Sequence, residues 1–274
     1  MSAKIYENPD ELRRDIRSGE FTINTSSQCP QYLQANMAIL PSNIADLFLE
    51  FCRLNPGACS ILEMLPAGCY QPAKLTKTQA DIRTDLPKYR IYKNGELVDE
   101  NVTDIRKFWN DQLVTFLLGC SFSFEYALQQ NGVRIKNIDE KKNVSMYKCL
   151  KKKCPGPFKD VYLVVSMRPI RNDQIDLVKQ VTGHPKFAKT HGEPLYCGYN
   201  YAEELGVNED LSQVDFGDPV SLDKETETPC FWYCGVTAIM AAIEASKVDQ
   251  SICITHSPGH MFVSDVKDDE EIPD

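Results

Sequence analysis

Two of the chain's four histidines, His256 and His260, stand in one polar turn, Thr255-His256-Ser257-Pro258-Gly259-His260, between apolar runs; a third, His191, stands in a similar turn, Thr190-His191-Gly192-Glu193-Pro194. An imidazole near its ordinary pKa takes or gives a proton at neutral pH, so His256 and His191 are the candidate general bases. Arg83 and Arg168 emerge beside apolar runs far apart in sequence, and a guanidinium can fork onto a carboxylate. In Ala80–Pro87 the residues Asp81, Arg83 and Asp85 alternate, so an extended chain would put all three on one face. Ser121 and Ser123 open one helix, and Cys234, Gly235 and Thr237 lie between a buried run and another, where hydroxyls and free N–H groups suit an anion. The set reads as a pocket for a small acidic substrate. Arg83, Ser121, Ser123, Arg168, Cys234, Gly235, Thr237 and His260 would bind it, with Asp85, Glu125 or Asp218 steadying the imidazole. Each position also has a plain reading: Ser-Pro-Gly is ordinary turn chemistry, serines before helices are caps, and alternating charges form surface ion pairs.

The elements that must position these groups follow from local pattern. Pro9–Gly19 predicts a helix with Asn8 or Asp10 to cap it and Gly19 to stop it; Ser42 begins another, with Ile44, Leu47, Phe48, Phe51 and Cys52 at helical spacing, closed by Asn55-Pro56-Gly57. Cys59–Leu65 reads as a buried strand. Tyr89–Asp99 reads as a hairpin around Asn94-Gly95. A helix is predicted over 104–118, another over 124–130, and a strand over Val161–Met167 that Pro169 should stop. Cys230–Cys234 reads as a buried strand, and Ala238–Ala245 as the helix after it.

Composition narrows the class. At 274 residues the chain can bury a large core, and its net charge of −9 disfavours a nucleic-acid partner. Without a long apolar stretch no membrane span is expected, and the charged N-terminal segment leads us to expect a cytoplasmic protein. The eleven cysteines, odd in number and scattered through apolar segments, read as reduced thiols. Their spacings do not suit zinc, and no metal is expected. Neither a phosphate loop nor a dinucleotide fingerprint is present, so no organic cofactor is expected either. A homodimer is compatible with the sequence, which does not fix the number of subunits.

Eight strings together resemble one family, the bacterial hydro-lyase-like proteins to which animal D-glutamate cyclase is related. They are Tyr32–Pro41 (YLQANMAILP), Ala80–Tyr92 (ADIRTDLPKYRIY), Gly119–Glu125 (GCSFSFE), Val164–Pro169 (VVSMRP), Thr190–Pro194 (THGEP), Asp215–Val220 (DFGDPV), Phe231–Thr237 (FWYCGVT) and Ile254–Asp265 (ITHSPGHMFVSD). Two turns depart from the family's usual pattern, at Tyr196–Asn200 and Ala238-Ile239, and bear on substrate more than on fold. The resemblance implies a two-part α/β protein and a lyase of the cyclase type, in which D-glutamate loses water to give 5-oxo-D-proline. A metal-dependent hydro-lyase using His191, His256, His260 and Cys234, and a non-catalytic binding protein for an acidic small molecule, are the alternatives.

The pattern predicts a larger three-layer α/β domain from residues 1–130 and 220–274, with a smaller α+β lobe, residues 131–219, inserted between them. Val161–Val220 holds its own strand–helix–strand pattern, whereas Cys230–Cys234 calls for a sheet partner from the N-terminal half.

Overall fold

Helix α1 (Pro9–Ser18) starts where the Asn8 side chain accepts the N–H groups of Asp10 and Glu11, and ends where Gly19 turns left-handed at φ +81°. The structure, a computed structural model, describes residues 4–272, so the outermost ends of the expected larger domain lie outside the described residues. After α1 come β1 (Tyr32–Pro41), α2 (Ser42–Leu54), β2 (Ile61–Leu65), the hairpin β3 (Tyr89–Lys93) and β4 (Glu96–Val102), β5 (Leu113–Gly119), α3 (Phe122–Gln130) and the single turn α4 (Lys136–Asp139). The second half runs β6 (Ser145–Lys153), β7 (Tyr162–Arg171), α5 (Ile175–Thr182), β8 (Tyr196–Cys197), α6 (Tyr201–Glu204), β9 (Glu227–Tyr233), α7 (Val236–Val248), β10 (Ile252–His256) and β11 (Phe262–Lys267). No helix among the described residues is long and apolar enough to cross a membrane.

The fold is α/β in two parts, each built on an antiparallel sheet. One sheet has the order β2-β5-β1-β10-β3-β4, with β11 also on β1; the other has the order β6-β7-β9-β8. Helix α7 lies against β1 and β10 of the first and β7 of the second. Its Ala238, Ala241, Ala242 and Ala245 share one apolar cluster with Phe48, Phe116, Val165 and Phe231. A helix apolar on every side belongs in an interior, and its alanines let strands approach from both directions.

Four expectations are corrected. The predicted helix over 104–118 is one tight turn, Arg106–Phe108, followed by strand β5. Every residue of β5 is buried between β2 and β1, and a run buried on both faces carries neither a helical nor an alternating period. Strand β9 pairs with β7 over Val165–Arg171 rather than with the N-terminal half, so the expected boundary at residue 220 parts β8 from β9, which are partners. Nothing local in Cys230–Cys234 distinguishes one sheet from the other. Pro169 does not stop β7: it faces Pro229 across the ladder, and the Pro229 carbonyl accepts from Gly198, just past β8, so this facing pair needs no N–H from either proline. Ala80–Pro87 is a series of turns, with the N–H groups of Thr84 and Asp85 on the Asp81 carbonyl, so its alternate residues do not share a face.

Strand β5 ends at Gly119, where a Cβ would stand 1.8 Å from the Lys189 carbonyl oxygen. That oxygen belongs to backbone and cannot swing aside. Gly119→Ala should therefore destabilise the fold by about 1–3 kcal/mol through overpacking, read as a lowered urea midpoint at unchanged slope.

Candidate active site

Along one edge β1 keeps β5 from Ala35 to Pro41; along the other it changes partner, with Ala38 and Ile39 against β10 and Gln34 and Ala35 against β11. At the exchange the backbone of Met37 needs another partner. His256, the last residue of β10, supplies it: its Nδ1 accepts the Met37 N–H at 3.1 Å and lies 3.3 Å from the Met37 carbonyl oxygen. An Nδ1 that accepts leaves the proton on Nε2, so neutral His256 is a donor at its far edge. The Asn36 side chain donates to the Gly119 carbonyl at 2.6 Å, and it fits because Gly235 has no side chain, a Cβ there standing 2.0 Å from Asn36 Nδ2.

One strand from each sheet runs through a cysteine into a helix: β5 through Cys120-Ser121 into α3, and β9 through Cys234-Gly235 into α7. Neither Ser121 nor Gly235 caps its helix through a side chain, and at α3 the Cys120 sulfur accepts the Phe122 N–H at 3.5 Å instead. The two turns meet His191 and His256 at a cavity of about 20 Å³, room for a single water molecule. Asn36, Asn143 and Met146 complete its polar and apolar walls. Burial pushes the Cys234 thiol up to about 11 and raises that of Cys120 as well, so both thiols are neutral at pH 7.

His191 reaches the cavity from a strained turn, with a left-handed backbone at φ +85° followed by Gly192. Its Nδ1 lies 3.0 Å from the Gly57 carbonyl oxygen. A carbonyl only accepts, so Nδ1 carries the proton and Nε2 presents a lone pair. That Nε2 is buried and makes no hydrogen bond of good geometry, although the Gly119 backbone, like that of Gly57, favours the protonated ring against burial. The two imidazoles are thus neutral in opposite tautomers, His191 an acceptor and His256 a donor. Burial holds both at a pKa of about 4, so both stay neutral well below pH 7.

Behind Ser121 lies a buried ion pair. Arg168 gives Nε and Nη2 to Glu125, Nη1 to Ser166 Oγ at 3.3 Å, and Nη2 also to Ser121 Oγ at 3.1 Å. Burial raises the Glu125 pKa while Arg168 opposes it. The Ser121 oxygen is occupied as an acceptor, which leaves its O–H free to donate.

Among the residues expected to meet, Ser121, His191, Cys234, Gly235 and His256 do line the cavity. The rest lie elsewhere. Arg83 pairs with Asp81 and stacks 3.4 Å from the Tyr70 ring centroid; Asp85 is buried and bound by Arg17. The Ser123 hydroxyl accepts the Gln34 N–H, and Thr237 ties α7 to Val164 on β7. Arg168 is satisfied by Glu125 and supports Ser121 from behind, and His260 turns its Nδ1 to the Pro258 carbonyl oxygen. None of Asp85, Glu125 or Asp218 orients an imidazole; backbone carbonyls and an N–H do so instead. Asp218 accepts the Asn143 N–H at 2.8 Å and so steadies one cavity wall. Sequence reasoning missed Asn36, Cys120 and Asn143. The available signals were a polar residue within an apolar strand and the recurrence of cysteine just ahead of a helix. Among the described residues, no three His, Cys, Asp or Glu side chains are grouped to hold a metal ion.

A family model described as D-glutamate cyclase matches residues 114–265, a span that takes in most of the cavity. The chain belongs to the D-glutamate cyclase family. Relatives carrying the name "Putative hydro-lyase" include one from Bacillus licheniformis, 44% identical and aligned over 96% of each chain. Others come from Geobacillus kaustophilus, 43% identical over 95% of each chain, and Thermoanaerobacter sp. (strain X514), 45% identical over 98% of each. A solved nitrogen repressor-like protein from Methanococcus jannaschii aligns over 94% of this chain and 98% of its own at a TM-score of 0.36 and 7% identity, too slight a likeness to transfer a fold.

The unfolded chain protonates its histidines below about pH 6.5, the folded chain protonates His191 and His256 only below about 4. Between those values the unfolded state binds more protons, so stability should fall as pH drops through that window. Each histidine accounts for on the order of 3 kcal/mol. Urea unfolding across the window should show a shallower pH slope in a His191→Gln, His256→Gln double variant than in the parent; equal slopes would mean that the two imidazoles are not held neutral by burial.

Proposed function

We propose that the chain is a hydro-lyase that closes a small acidic amino acid, D-glutamate first among them, into its lactam with loss of water. The observation that carries this reading is the pair of buried neutral imidazoles in opposite tautomers at one cavity. Lactam formation needs a base for the ammonium proton, a donor for the tetrahedral oxyanion, a proton for the departing oxygen and a seat for the second carboxylate. His191 Nε2 takes the ammonium proton and frees the amine to attack the γ-carboxyl carbon. His256 Nε2–H faces the oxyanion. The two protons that the ammonium loses end on the departing carboxyl oxygen, which leaves as water, so no co-reactant is needed. The Ser121 hydroxyl, with the positive ends of α3 and α7 behind it, seats the α-carboxylate.

Burial also answers an apparent mismatch. A base held at about 4 is weak against an aqueous ammonium, but the same dry cavity disfavours the substrate's ammonium form as it does the imidazolium. With room for one water, the cavity must open to admit an amino acid.

The test is turnover of D-glutamate followed as loss of primary amine, with L-glutamate and D-aspartate alongside. His191→Ala and His256→Ala should each lower turnover by about 10²-fold or more while the protein stays folded, as for a lost acid–base group. The acid limb of kcat/KM should lie near pH 4 rather than at the ordinary imidazole value of about 6.5. No turnover of any acidic amino acid or its lactam by folded protein would reject the reading and leave a binding protein.

A further inference from the structure

We propose that Cys197 and Cys230 form a reversible cross-strand disulfide, a thiol–disulfide site outside the cavity that fastens the segment leaving His191 to the strand leading into Cys234. The two residues are direct partners in the β8–β9 ladder. Beside them the Gly198 N–H donates to the Pro229 carbonyl at 3.1 Å, so Pro229 directs its backbone to β8 and Cys230 directs its own away. Cys197 and Cys230 therefore face each other as a non-hydrogen-bonded pair, for which the Cα separation is about 4.5 Å. Disulfides span Cα separations of roughly 4.4–6.8 Å, so a bond closes here without moving either strand far.

The two thiols are unequal in a way that suits exchange chemistry. Cys197 is half-buried, whereas Cys230 is fully buried beneath it. The adjacent Cys230 side chain, with Lys179 nearby, lowers the Cys197 pKa against the opposing effect of burial. The same contact and burial raise that of Cys230. Cys197 is thus the more acidic, accessible thiol that a reagent meets, and Cys230 the thiol that resolves it. Cys52 and Cys59 also lie side by side, but both are buried, so reagent does not reach them.

With oxidised glutathione as the co-reactant, the Cys197 thiolate attacks one sulfur of the reagent, the reagent's S–S bond breaks, and a glutathione thiolate leaves and takes up a proton. The Cys230 sulfur then loses its proton, attacks the Cys197 sulfur and displaces the second glutathione thiolate. Two protein thiols and one small disulfide become one protein disulfide and two small thiols. A Cα separation near the lower limit, with one sulfur accessible, makes the bond readily reducible. Its place explains what it would do. His191 and Cys197 are six residues apart on one segment, and Cys230 and Cys234 four apart on the other. The bond would hold together two segments that both reach the cavity.

The experiment equilibrates the full-length protein with reduced and oxidised glutathione at graded ratios, blocks remaining thiols by alkylation, and maps the peptides. Mapping is needed because exposed Cys69 will take up glutathione by itself. A linked Cys197–Cys230 peptide should accumulate as the ratio turns oxidising and vanish on adding dithiothreitol. In Cys230→Ser, Cys197 should be trapped as the glutathione mixed disulfide; in Cys197→Ser, Cys230 should stay unmodified. Full alkylation of Cys197 at every ratio in folded parent protein would overturn the proposal. A parent protein carrying glutathione on Cys197 beside a free Cys230 would overturn it too. The readout is covalent and needs no substrate, so it stands or falls separately from the proposed activity.

Discussion

Strand β1 is enclosed on both faces and both edges, and its one discontinuity, where β10 gives way to β11, fixes the site. Backbone that loses a ladder partner in an interior must find another, because an unpaired buried N–H costs as much as a lost hydrogen bond. Met37 finds His256 and holds it in one tautomer. The neighbouring Asn36 side chain bonds the end of β5, and Gly235 leaves the space it needs. His256 thus has a structural duty before any chemical one, and the duty is what aims it. On this face of β1 the alternate residues Leu40 and Ala38 belong to the apolar core, while Asn36 and Gln34 carry the same face on into polar surroundings. The cavity begins where the apolar stripe stops.

Burial decides the electrostatics there. Arg168 and Glu125, behind Ser121, are spent on each other and on Ser121, and the ionisable groups lining the cavity are two imidazoles and two thiols, all neutral at pH 7. A buried ion pair adds little stability of its own but is expensive to break, since removing either partner strands the other's charge. Its consequence here is positional. The hydroxyl of Ser121 is held as an acceptor from behind and faces forward as a donor, which a free arginine on a long flexible stem would not do as well.

Much of the local structure was legible in the sequence. The stop of α1 at Gly19, the hairpin turn at Asn94-Gly95 and the close of α2 at Asn55 all rest on residues whose backbone preferences act over a few positions. The strand–cysteine–helix turn before α7 and the His256 turn were legible for the same reason. What could not be read was pairing over distance. Arg17 meets Asp85 across 68 positions, and Arg13 meets Asp265 across 252. No local pattern says which carboxylate an arginine will find, so the sequence points Arg83 and Asp85 to a pocket they do not border. Strand β5 failed for another reason: a segment buried on both faces has no polar side to reveal its period.

Three departures from local rules fall on one residue. His191 has a left-handed backbone without being glycine, its Nε2 is buried and unbonded, and its turn is pressed against Gly119 so closely that no side chain fits there. The first two destabilise the fold: a strained backbone by about 1–3 kcal/mol and an unpaired buried polar atom by about as much again. A histidine serving only to fill space would be replaced at a gain by a glycine for the backbone or by an apolar side chain for the cavity. Retaining an imidazole with its lone pair exposed to an enclosed space is reasonable only if something else binds that lone pair at some stage. The opposite histidine, with a hydrogen directed where His191 has none, makes a dipolar ligand the natural occupant, one that gives a proton on one side and accepts one on the other. On the proposed reaction, the tetrahedral stage of an amino acid closing onto its own side chain is such a ligand.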